Sequence, residues 1–267
     1  MDEGINTFSE ARVLGTWGAP EYGILRYFGG FVPYVFKDLV ATREIDGNRF
    51  AGYRRAPKGD AQSTPSFRYY PATGSVITYN KTALWLNTLE RWIGCPTEQR
   101  ILSTYFSRWQ FKHPKPQDFF DVANEVSGRD LSGYFAQVYR SSNAFDYGIQ
   151  DLRSDKDGDQ YRTLAVVRRY GEAVFPIDVC VTFADGTRVV EHWDGVDRWR
   201  LYTYNRAQPA VSAEADPGHI LLLDINRTNN SRTLKPLDAS GPTAATKWSL
   251  KWMVWLQDYL LSWSALV

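Results

Sequence analysis

The periodicity of the chain changes near Tyr147. Before it, apolar residues recur at three- and four-residue intervals, as in Ala83, Leu84, Leu86, Leu89, Trp92 and Ile93, which is the spacing of one helix face. After it, residues 161–170, 175–183, 187–193 and 198–204 are short runs rich in Val, Thr and aromatic side chains. Beside them stand Asp157-Gly158, Asp185-Gly186 and Asp194-Gly195, the pairs that make tight hairpin turns because glycine adopts a left-handed backbone without strain. Helices followed by strands predict an α+β multidomain chain. The expected order is helices over 1–147, a small β-sandwich over 148–226, and a linker with an amphipathic C-terminal helix over 227–267.

Within the first part the spacing predicts helices over 2–14, 77–93, 97–109, 116–127 and 131–139, with Gly15, Gly94 and Gly128 as stops. Residues 21–40 read as one or two short helices broken by Gly29 and Gly30. Residues 48–74 hold Pro57, Gly59, Pro65 and Pro71 and read as a long loop, a class of segment that often lines a functional site. Residues 220–225 read as the last strand, followed by a polar connection. The final helix, 247–266, carries four Trp and a narrow polar stripe that includes Lys251 and Asp258. Those charges argue against a span, so peripheral membrane contact through 247–267 and docking against a further domain both stay open.

The totals exclude several functions. Thirty-one Lys and Arg face thirty Asp and Glu, a net charge of +1 that supplies no field for gripping nucleic acid. Cys95 and Cys180, the only cysteines, make neither a disulfide framework nor a thiolate zinc site. No nucleophile elbow or phosphate loop is present. No signal peptide is expected in the given residues, because Met1 is followed at once by Asp2, Glu3 and a helical pattern. An opening inside a helix leads us to expect that Met1 is internal to a longer protein, soluble or peripherally associated with a membrane.

Three short motifs stand in order. Met1-Asp2-Glu3-Gly4 opens the first helix. Ile77-Thr78-Tyr79-Asn80-Lys81-Thr82-Ala83 opens the second long one. Gln117-Asp118-Phe119-Phe120 runs on to Ser127-Gly128-Arg129-Asp130-Leu131 and Tyr134-Phe135. Together they resemble zinc metallopeptidases of the membrane alanyl aminopeptidase (aminopeptidase N) family, of the gluzincin clan: a Glu-Gly pair, a Tyr-x-Lys-Gly-Ala stretch, and an Asp-Phe, Ser-Gly-x-Asp-Leu, Phe-Phe series. Thr82 stands where the family has glycine, so a looser helix contact is expected there.

The resemblance implies the helical lobe of a thermolysin-like catalytic domain, then a β-sandwich. It also implies a peptide substrate, one zinc ion in the full-length protein, Glu3 as a metal ligand and Tyr79 as a catalytic donor. A phenol suits that work, since it stays protonated at neutral pH and can hydrogen-bond a developing oxyanion. Glu10 lies seven positions after Glu3, on the same helix side, and is a candidate to brace a ligand histidine from the outer shell of the metal site. The only histidines are His113, His192 and His219, no two of them four apart, and all three read as structural. There is therefore no His-Glu-x-x-His, and a catalytic zinc needs more than Glu3. The chain by itself is expected to be an inactive C-terminal portion, completed by the missing N-terminal part of the same protein. The alternative is a non-catalytic scaffold or binding module derived from the peptidase fold.

Overall fold

A computed structural model describes residues 1–16, 22–23, 42–43, 52–54, 56–235 and 240–264. They fall into two compact units, Met1–Phe8 with Phe50–Leu234, and Ser9–Arg49 with Lys235–Val267. The chain is α+β.

The first unit begins with helix α1 (Asp2–Thr16), which continues into the second. Its burial follows the helical repeat, with Gly4 and Phe8 buried and Asp2 and Asn6 exposed. The central element is a π-turn, Val76–Lys81, running directly into α2 (Thr82–Ile93). Every residue of α2 from Thr82 to Leu89 is buried, so this helix is the axis around which the others pack. Trp85 is wholly inside, edge-on to Phe119 at 6.2 Å and to Phe135 at 6.0 Å. Those rings belong to α4 (Pro116–Ser127) and α5 (Ser132–Val138).

Gly94 ends α2 at φ +91°, and α3 (Cys95–Trp109) follows with Pro96 in its first turn, where a missing N–H costs nothing. Helix α4 starts with the Lys115 amide donating to the Asp118 carboxylate (2.6 Å) and stops at Gly128 in the left-handed conformation.

From Tyr147 the chain is antiparallel sheet. One sheet has the order β3–β4–β7 (Tyr147–Asp157, Gln160–Arg169, Trp199–Arg206). The other has the order β6–β5–β8–β9 (Arg188–Trp193, Ile177–Phe183, Ala210–Ala215, Ser231–Thr233). The three Asp-Gly pairs sit at turns, with Gly158, Gly186 and Gly195 all at positive φ. Leu152 and Val167 from one sheet and Val181 and Phe183 from the other enter the same buried cluster as Trp85 and Phe135. Phe175 joins strands to helices, 5.1 Å from Trp92 and 5.8 Å from Tyr134.

Four local expectations change. Residues 220–225 are a buried turn rather than a strand: the Asp216 carboxylate accepts from the Ile220 and Leu221 amides (2.9 and 2.8 Å), and Thr88 Oγ1 accepts from the Leu222 amide (3.1 Å). Side-chain acceptors thus satisfy a backbone that a sheet would otherwise have to pair. The supposed polar connection contains β9, paired with β8. Strands β3 and β8 are additional to the four runs read from sequence. The helix expected from residue 77 begins as the π-turn.

In the second unit, β1 (Tyr22–Gly23) pairs antiparallel with β2 (Thr42–Arg43). The rest of the 21–40 helical expectation lies outside the described residues. Helix α6 (Ser240–Ser264) carries an aromatic ladder, Trp252, Trp255, Tyr259 and Trp263, with successive rings 5.3 to 6.1 Å apart. No helix among the described residues is long and apolar enough to cross a membrane.

Candidate active site

The first turn of α1 and the π-turn before α2 meet through glycine. A Cβ built on Gly4 would lie 2.1 Å from both Cβ and Cγ2 of Thr82 and 2.8 Å from the Thr78 carbonyl oxygen. Only a residue without a side chain permits that approach. The looser contact expected from Thr82 is therefore not found: the threonine is fully buried and fills the space a second glycine would have left. Its hydroxyl donates to the Ile77 carbonyl (3.0 Å) and accepts from Gln62 Nε2 (2.5 Å), while Gln62 Oε1 accepts from Trp85 Nε1 (3.1 Å).

This approach brings the two residues singled out in the sequence together. Glu3 is half-buried, next to Gly4, and Tyr79 is 41% exposed in the middle of the π-turn. The Glu3 carboxylate lies near enough to the Tyr79 hydroxyl to act on it electrostatically. The charge of Glu3 is the main reason the phenol is held above its usual range, followed by partial burial, and the charge of Asp2 adds to it. Tyr79 is thus a protonated donor throughout the neutral range.

Asp2 also belongs to an open groove of about 540 Å³ whose walls include Ile5, Tyr105, His113 and Pro116. Its charge reaches Tyr105 as well, whose phenol is raised chiefly by burial, then by Asp118 and by Asp2. Glu10, further along α1, is exposed and belongs to the second unit. His113 lines the groove; His192 shares a 3.0 Å contact with Asp178 on an exposed sheet face; the His219 carbonyl accepts from Arg91.

No group of three His, Cys, Asp or Glu side chains converges among the described residues. A tetrahedral zinc centre takes at least three protein ligands, so the described residues do not compose one, and Glu3 is at most one donor of a larger set. The residue that sequence reasoning passed over is Lys81. It is buried inside the π-turn, and its signal was visible as a cation in the core register of an otherwise apolar helix start.

No family profile matches the chain, and no curated protein matches it. Among solved structures, the aminopeptidase A of Legionella pneumophila, crystallised in complex with aspartic acid, superposes with a TM-score of 0.50 at 14% identity. The superposition covers 83% of this chain and 23% of that one, so this chain spans less than a quarter of the neighbour's length. The likeness is one of fold: the chain has a peptidase-like fold.

Proposed function

We propose that this chain forms part of the catalytic cleft of a zinc-dependent metallopeptidase of the aminopeptidase N kind, acting on peptides from the amino end. The observation that carries the reading is the close approach of Gly4 to Thr78 and Thr82, which brings the neighbouring Glu3 carboxylate and Tyr79 phenol, from two motifs far apart in sequence, within electrostatic reach of each other. In this reading Glu3 is one metal ligand, and two histidines from an upstream segment of the same protein complete the set. Zinc, when bound, supplies Lewis acidity and an activated water. The chain's own contribution is the placement of donors. The close contact at Gly4 fixes the depth of the Glu3 carboxylate, and Tyr79 offers its proton as a hydrogen bond to negative charge developing on a carbonyl oxygen. Half exposure suits that role, because a substrate has to reach the hydroxyl.

The test is made on the full gene product with an aminoacyl-nitroanilide substrate. Tyr79→Phe is expected to cut turnover by about 10² to 10³-fold with zinc content unchanged, the usual effect of removing one oxyanion donor. Glu3→Gln is expected to lower zinc content itself. Unchanged turnover in Tyr79→Phe removes the tyrosine from the mechanism. A second reading, a non-catalytic scaffold of the same fold, is favoured by the lack of a convergent ligand triad among the described residues. A full gene product without chelator-sensitive hydrolysis would establish it.

A further inference from the structure

Helix α6 carries a continuous apolar surface that stands exposed. At about 3.6 residues per turn, Trp252, Trp255, Tyr259 and Trp263 fall, with Leu256 and Leu260, inside an arc of roughly 140°. All six are 48 to 58% exposed, whereas Val254, on the other side of the helix, is 4% exposed. The helix is thus seated by one side and presents the other, and an exposed apolar surface of this continuity marks an interaction site. We propose that α6 is a lipid-docking helix, lying in the plane of a bilayer interface with its aromatic arc toward the acyl chains. This role holds whether or not the full protein hydrolyses peptides.

Composition, packing and charge select a lipid surface over a protein partner. The arc is made chiefly of Trp and Tyr, whose rings are apolar while their N–H and O–H groups seek water or headgroup oxygens. Both needs are met at the boundary between acyl chains and headgroups. The rings also pack on one another, Trp252 on Trp255 at 5.3 Å, Trp255 on Tyr259 at 5.9 Å and Tyr259 on Trp263 at 6.1 Å. A ladder closed in this way fills the holes into which the knobs of a second helix would insert, whereas a fluid acyl layer needs no holes.

The side away from the arc carries Lys251, exposed, and Asp258, half-buried. At headgroup level these charges, one of each sign, complement the phosphate and the amine of a zwitterionic lipid. In mid-helix they also make a span costly, so the helix lies along the surface. Ser262 and Ser264 flank the arc, and their hydroxyls donate to the Asp258 and Leu261 carbonyls at 2.8 Å each. With the helix backbone as their acceptor, neither has to stay hydrated as the helix settles into the interface.

The experiment floats the 267-residue chain with vesicles of phosphatidylcholine, with and without phosphatidylserine. It compares that chain with the paired substitution Leu256→Lys/Leu260→Lys and with Phe67→Lys, at an exposed apolar residue of the first unit. The chain is expected to float with both kinds of vesicle. The paired substitution should lower its partition coefficient by about tenfold or more per leucine, and Phe67→Lys should leave it unchanged. No flotation of the unsubstituted chain, flotation confined to vesicles with phosphatidylserine, or equal flotation of the paired variant each overturns the inference. A chain that ignores vesicles and is a dimer by light scattering, with the paired variant a monomer, assigns the arc to a second copy instead. Quenching of tryptophan fluorescence by brominated phosphatidylcholine in the unsubstituted chain is the second measurement, and its absence overturns the docking even if the paired variant does not fold.

Discussion

Replacing Gly4 by alanine tests the contact that creates the site. The added methyl would sit 2.1 Å from Cβ and Cγ2 of Thr82, whereas carbon atoms rest at roughly 3.5 to 4.0 Å. The α1 backbone therefore has to retreat by more than about 1 Å, or the π-turn has to open. Overpacking of this kind costs about 3 kcal/mol at the upper end of its usual range. Alanine returns up to about 1 kcal/mol through its better helix propensity. The net loss is about 2 kcal/mol, a fall in melting temperature of roughly 5 °C for a unit of this size. The reasoning also predicts which second change relieves the clash. Thr82→Ala keeps the Cβ that is itself at 2.1 Å, so it should not rescue Gly4→Ala. Thr82→Gly removes both offending atoms and should show a favourable coupling of about 1 kcal/mol or more in a double-mutant cycle. Rescue is partial, because the Thr78 carbonyl stays 2.8 Å from the new methyl. Calorimetry on the four proteins reads the cycle. Additive effects of Gly4→Ala and Thr82→Gly would refute the contact.

Two further perturbations address the support around the site and the sheet. Gln62→Ala leaves the Thr82 hydroxyl and the Trp85 indole N–H without their buried partner, and chemical denaturation should show a loss of about 2 to 5 kcal/mol; a loss under about 1 kcal/mol would mean the pair is satisfied otherwise. Asp224, 1% exposed, accepts from the Tyr147 and Asn226 amides and from Asn230, yet desolvation dominates and raises its pKa from 3.8 to about 6. The folded chain then keeps a proton that the unfolded chain releases between pH 4 and 6, so stability falls as pH rises through that window. The full loss, reached above about pH 6, is about 3 kcal/mol. Asp224→Asn should lack this slope, and melting curves of the two proteins that run parallel from pH 4 to 7 would contradict the assignment.

Much of the fold can be read from the sequence because glycine and proline punctuate it. Gly94 and Gly128 end their helices at positive φ, and the Asp-Gly pairs turn the strands. What stayed hidden depended on tertiary partners. Strand β8, Ala-Val-Ser-Ala-Glu-Ala, has little intrinsic preference for a sheet and is a strand because β5 and β9 pair with it on either side. Strand β3 ends in the exposed, charged run Arg153 to Asp157, which looks like a loop until it is paired with β4. The apolar run 220–225 has the composition of a buried strand, and only the side chains of Asp216 and Thr88 reveal that its backbone is satisfied as a turn. A π-turn has the same composition as an α-turn, so the extra residue that aims Tyr79 left no mark on periodicity. The pairing of Glu3 with Tyr79 came from motif resemblance alone, since no local pattern links positions so far apart.

The central claim is that the Glu3 carboxylate and the Tyr79 phenol share one site, and carbon-13 titration of Tyr79 measures it directly. The account predicts a midpoint above the ordinary tyrosine range in the wild-type chain, a clear fall in Glu3→Gln, and a smaller fall in Asp2→Asn, following the order of their influence. A Tyr79 midpoint that does not respond to Glu3→Gln would contradict it.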